Sequence, residues 1–147
     1  MPLKNSTSRS QNTFDKIQRV LAENGAKKIM YDYSSDGKLE SISFAIELKG
    51  KPIGFRLPAN IDKVVEIMYG GKDHWGQTKK PSDAQREQAY KTGWANIRDW
   101  IDAQLALVKT QQVEIAQVFL PYMVTKNGKT LYDQVVTDPS FLLGSGE

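Results

Sequence analysis

The sequence predicts an α+β fold: a three-stranded antiparallel β-meander packed against one long helix and three to four shorter helices. Three observations carry this expectation. Residues 28–57 hold three β-rich stretches separated by two tight-turn signals. Residues 82–108 carry apolar side chains at helical spacing without a break. The strands come as one block with helices before and after it, which is an α+β order rather than a β-α alternation. At 147 residues the chain is long enough to bury a self-sufficient core and short enough for one domain.

Residues 1–12 (MPLKNSTSRSQN) are polar and lack an apolar face, so a disordered arm is expected, with Lys4 and Arg9 as its two bases and no acid. The first helix is expected from about Phe14 to Asn24. Thr13 is its candidate cap, Phe14, Ile17, Val20 and Leu21 form its apolar stripe, and Asn24-Gly25 is a left-handed stop. Lys28 to Tyr33 reads as a strand, followed by a Ser-Ser-Asp-Gly turn. From Leu39 to Leu48 the residues alternate, with Ile42, Phe44, Ile46 and Leu48 facing one way. After Lys49-Gly50-Lys51, Ile53, Phe55 and Leu57 alternate with Gly54 and Arg56, and Pro58 ends the third strand.

Asn60 is the candidate cap of a second helix over 61–69, with Ile61, Val64, Val65 and Met68 on one face and Gly70-Gly71 as its stop. A flexible loop is expected at 71–81. Ser82 and Gln85 then stand at capping-box spacing and open the long helix to about Val108. Its main stripe is Tyr90, Trp94, Ile97, Ile101, Leu105 and Val108. Gly93 within it costs about 1 kcal/mol against alanine, which points to close packing or a kink. A short helix from Gln111 to Leu120, a tight turn at Asn127-Gly128 and a final helical turn capped by Thr130 and Asp133 complete the domain, taken as 13–143 with a loose tail at 144–147.

Composition narrows the chemistry. The chain has no cysteine and one histidine, His74. That excludes a disulfide-stapled module, a cysteine-ligated metal centre, a cysteine nucleophile and any site built on two histidines. His74 has Asp73 as its sole acidic loop neighbour, a poor orienting partner because adjacent side chains diverge. Asp99 and Asp102 can share a helix face but lack the further ligands that Mg²⁺ takes, and Arg98 and Lys109 are nearer ion partners. The Gly-Lys pairs Gly50-Lys51, Gly71-Lys72 and Gly128-Lys129 lack the frame of a phosphate loop. No catalytic set, cofactor or metal is therefore expected. The N-terminus lacks the apolar core of a signal peptide, and no apolar run reaches the roughly 18 residues of a membrane span. A cytoplasmic protein that does not bind membranes is the expectation.

The net charge is +3, with acids and bases mixed along most of the chain. The excess gathers in the N-terminal arm and in the 72–80 loop, where Lys72, His74, Trp75, Lys79 and Lys80 face a single acid, Asp73. A tryptophan among lysines suits stacking on an exposed base with phosphate contacts alongside. It also suits an anchor in a protein partner, or a solvated loop whose tryptophan folds back on the domain. Arg56, mid-strand, either joins Lys28 or Lys51 in a small basic surface or is an ordinary edge charge.

Three stretches, FRLPANIDKVVEIM (55–68), QAYKTGWANIRDWIDAQLALV (88–108) and FLPYMVTKNGKTLYDQV (119–135), resemble a family of small uncharacterised proteins encoded in bacteriophage and prophage genomes. The resemblance spans roughly residues 14–136 and implies a context, not an activity: an infected bacterial host, with a task in phage DNA metabolism or in defeating host defences. The resulting expectation is a non-enzymatic accessory protein, monomeric or homodimeric, that binds nucleic acid through Lys72, His74, Trp75, Lys79 and Lys80, with Arg56, Lys4 and Arg9 contributing. The alternative is an anti-defence inhibitor that binds a host nuclease, such as a CRISPR effector.

Overall fold

A computed structural model describes residues 2–138 and Ser140, with side chains from Asn12 onward apart from residue 139. The element order is α1 (Pro2–Glu23), β1 (Ala26–Tyr33), β2 (Leu39–Leu48), β3 (Lys51–Pro58), α2 (Ile61–Tyr69), α3 (Asp83–Lys109), α4 (Ile115–Phe119), a 3₁₀ turn at Leu120–Tyr122, and α5 (Leu131–Thr137). The α+β class and the antiparallel β1-β2-β3 meander are as expected. The tail expected at 144–147 lies outside the described residues.

The first helix is longer than its apolar stripe. Residues 2–12 continue α1 instead of forming an arm, and Thr13, expected as the cap, lies buried mid-helix and accepts a hydrogen bond from Arg98 Nη1. Between Pro2 and Glu23 there is no glycine, and the one proline stands at the first helical position, where its missing N–H costs nothing. Once Ile17, Val20 and Leu21 are buried, adding turns outward needs only propagation.

In the sheet, Ile42, Phe44, Ile46, Phe55 and Leu57 face the core. Phe44 and Phe55 pair across the strands at 5.1 Å, and Phe119 meets both edge-on. The helix α3 lies over this face and is tied to β2 by two hydrogen bonds at one residue. The Leu39 N–H donates to the Tyr90 hydroxyl (3.1 Å), and Trp94 Nε1–H donates to the Leu39 carbonyl (3.2 Å). Both bonds are buried, where an unpaired backbone group is costly. Phe14 of α1 packs edge-on against both rings.

Gly93 resolves as close packing. A Cβ there would meet Ile61 Cδ1 at 2.6 Å, so the glycine lets α2 settle against α3. Asn60 departs from expectation: its backbone is left-handed (φ 53°) and its side chain caps nothing. The capping boxes at Ser82/Gln85 and Thr130/Asp133 both form. The fourth helix starts at Ile115, not Gln111. Gln111 is left-handed (φ 63°), and the Gln112 N–H bonds back to the Leu107 carbonyl, a termination that turns the chain away before Glu114 and Gln117 cap α4.

Candidate ligand-contact site

The 71–80 loop is built around one side chain. Asp73 Oδ1 accepts hydrogen bonds from the Trp75 and Gln77 N–H groups (2.9 and 3.0 Å), an arrangement that substitutes a carboxylate for a backbone turn. Backbone bonds complete the closure: Asp73 N–H to the Gln77 carbonyl, Gly76 N–H to the Asp73 carbonyl, and Lys79 N–H to the Gly71 carbonyl. Lys72 and Thr78 form a bridge between the two limbs. The segment expected as an aperiodic loop is thus a miniature hairpin. Its sequence signal was the Asp73…Gly76 spacing, since Gly76 takes φ 78° and the aspartate serves the amides between.

The hairpin tip presents an aromatic platform. Trp75 is 76% exposed, and its ring lies 4.1 Å from that of His74, tilted by 43°. The reading in which Trp75 folds back on the domain does not hold. Lys72, Lys79 and Lys80 are exposed on the limbs and base of the same hairpin.

The other expected contact residues do not all join this tip. Arg56 is half-buried on the face of the sheet away from the core, and its Nη1 donates to the Gly128 carbonyl (3.1 Å). Lys28 lies on the same face but two strands away, opposite Ala45 and Gly54, and Lys51 stands at the far end of β3 opposite Leu48. The hydrogen bond that Arg56 makes runs to Gly128. The backbones of Lys4 and Arg9 lie in α1; their side chains are outside the described residues.

Two grooves flank the body. One, of about 770 Å³ between α1 and α3, is lined by Lys16, Arg19, Lys91 and Arg98 together with Asp15. Two of its cations are engaged: Lys16 with Asp102 at 3.5 Å and Arg98 with Asp99 at 3.0 Å. This also separates Asp99 and Asp102 as a pair, since each faces a different cation. The other groove, of about 840 Å³, lies between the 34–38 turn, β3 and the start of α3. Its charges alternate in sign, and Lys38 both pairs with Glu87 and sits over the Tyr90 ring. Burial is the largest cause that raises the Tyr90 phenol above its ordinary 10.0, and it does the same for Tyr31, whose hydroxyl donates to Gln18 Oε1. Among the described residues, no three His, Asp or Glu side chains converge as a metal site, and no helix is long and apolar enough to cross a membrane.

Comparison of the chain with protein-family models, with curated proteins and with solved structures returned no match.

Proposed function

We propose that the protein is a non-enzymatic accessory protein of a phage or mobile element, acting in the cytoplasm of the infected host, and that it binds single-stranded nucleic acid through the 71–80 hairpin. One observation carries this reading: a solvent-exposed Trp75, backed by His74 and with its N–H held by Asp73, tops a hairpin whose limbs and base carry three exposed lysines. A base stacks on an indole face whatever its identity, and lysines beside it hold the flanking phosphates. An anchored loop pays less ordering entropy on binding than a free one. A role in phage DNA metabolism, one of the two tasks that the resemblance to phage-encoded proteins implies, would suit such an activity.

The test is titration of Trp75 fluorescence with a single-stranded DNA oligonucleotide at low salt. Binding is expected to quench the indole and to weaken as salt rises. Trp75→Ala is expected to lose about 10-fold or more in affinity, from a stacking contribution of about 1–3 kcal/mol per base. Replacing Lys79 and Lys80 by Gln should lower the slope of log affinity against log salt by about 0.7 per lysine. Absence of binding to single-stranded or duplex DNA or to RNA at low salt rejects the reading.

A second reading is an anti-defence inhibitor of a host nuclease. It is favoured by α2, whose outer side exposes Ile67 (81%) just before the hairpin, apolar surface for which nucleic acid has no use. Purified protein that inhibits a host nuclease without binding its DNA, and loses that inhibition in Ile67→Glu, would establish it over the first.

A further inference from the structure

The sheet has one closed edge and one open edge. On the β3 side, Met123 bridges to Phe55, and the Val124 N–H donates to the Gly54 carbonyl, so the hairpin after α4 covers that edge. On the other side β1 pairs with β2 and with no further strand among the described residues. Open edges usually carry charges that repel a second strand. The charges on β1 are arranged differently.

We propose that β1 is a self-pairing edge, joining two copies of this chain antiparallel in the register that sets Met30 opposite Met30 of the second copy. Across a two-fold axis, facing residues lie on the same side of the sheet, so both must be odd-numbered or both even-numbered. That leaves few registers. Centring on Lys28 or on Asp32 puts like charges face to face, and centring on Ile29 or Tyr31 leaves Lys28 and Asp32 opposite neutral residues. Centring on Met30 places each Lys28 opposite an Asp32, twice per dimer, and each Ile29 opposite a Tyr31 on the other side.

The residues are placed for this. Met30 is 63% exposed on the sheet face turned away from the core, an apolar side chain at the point the axis would pass through. Lys28 and Asp32 are exposed on the same face, and Asp32 Oδ2 accepts from Ser41 Oγ at 2.9 Å, which steadies the carboxylate there. Register irregularities between Ala26 and Lys28 and between Asp32 and Tyr33 confine regular pairing to 28–32, the stretch that carries the complementary pattern. The dimer would be a continuous six-stranded sheet, and this inference stands apart from the nucleic-acid reading.

Sedimentation equilibrium of the full chain, from about 10 µM to about 1 mM because so short a contact is weak, tests the proposal. A monomer–dimer equilibrium is expected. Lys28→Asp and Asp32→Lys should each weaken it about 10-fold or more, by turning two attractive pairs into two repulsive ones. The double exchange, Lys28→Asp with Asp32→Lys, should recover the dimer to within about 3-fold. Met30→Lys, which sets two ammonium groups together at the axis, should also weaken it. All three sites are exposed positions on the edge strand, and far-UV circular dichroism at matched concentration verifies that each variant is folded. A chain that stays monomeric throughout, or a dimer that the single reversals leave intact or the double exchange fails to recover, overturns the proposal.

Discussion

Trp94 and Trp75 sit in opposite environments, and the contrast separates what holds this protein together from what it offers to a partner. Trp94 is 1% exposed, packs against Phe14, and spends its Nε1–H on the Leu39 carbonyl. Trp75 is open to solvent and rests on the His74 ring at the tip of a hairpin organised by one aspartate. The first site removes apolar area from water and satisfies every polar atom while doing so. The second leaves a large apolar face in water, and a folded chain gains nothing from that face by itself.

The comparison breaks most visibly at Trp94. Trp94→Ala is expected to cost about 3–5 kcal/mol in urea unfolding, through cavity formation and the loss of the Leu39 partner. Tyr90→Phe should cost about 1–3 kcal/mol, because the buried Leu39 N–H then has no acceptor. Gly70→Ala probes the junction of the two regions. Its Cβ would stand 2.6 Å from the Glu66 carbonyl oxygen and 2.9 Å from Glu66 Cα, both backbone atoms, so the end of α2 must shift at a cost of about 1–3 kcal/mol.

Alkaline pH sharpens the same division. Tyr90 and Tyr31 are both raised above the ordinary 10.0. The unfolded chain therefore loses these protons first, and the stability they contribute is complete below pH 10.0 and lost as pH rises above it. Thermal melts across that range should show a falling Tm, with a shallower fall in Tyr90→Phe. The smallest expected effect on stability belongs to Trp75→Ala, within about 0.5 kcal/mol of the parent. Asp73→Ala should also leave the global unfolding midpoint nearly unchanged while speeding hydrogen exchange at the Trp75 and Gln77 amides, which lose their acceptor. A large loss of stability from either change at the hairpin would mean that Trp75 belongs to the core and not to a contact surface.

Much of this was legible in the residues. The alternation of Ile42, Phe44 and Ile46 fixes which sheet face is buried, because side chains repeat every second residue. The Tyr90–Val108 stripe marks the buried side of α3, and Gly93 points to close packing or a kink, of which the structure has the first. The lysines that neighbour Trp75 along the chain are legible as composition, while the shaping role of Asp73 is harder to read, since its hydrogen bonds run to backbone amides that any sequence supplies.

By itself, the sequence determined the elements whose causes are local: the meander with its Asp-Gly and Lys-Gly turns, the capping boxes at Ser82 and Thr130, and the apolar periods. What only the tertiary structure decided depends on groups distant along the chain. Propagation from a packed core carries α1 back to Pro2, over residues whose polarity suggested no order. A left-handed Gln111 ends α3, although glutamine is not a residue that demands that conformation. Met123 closes one edge of the sheet and leaves β1 open, because a backbone hydrogen bond is indifferent to side-chain identity and is set by which strands the packed helices bring within reach.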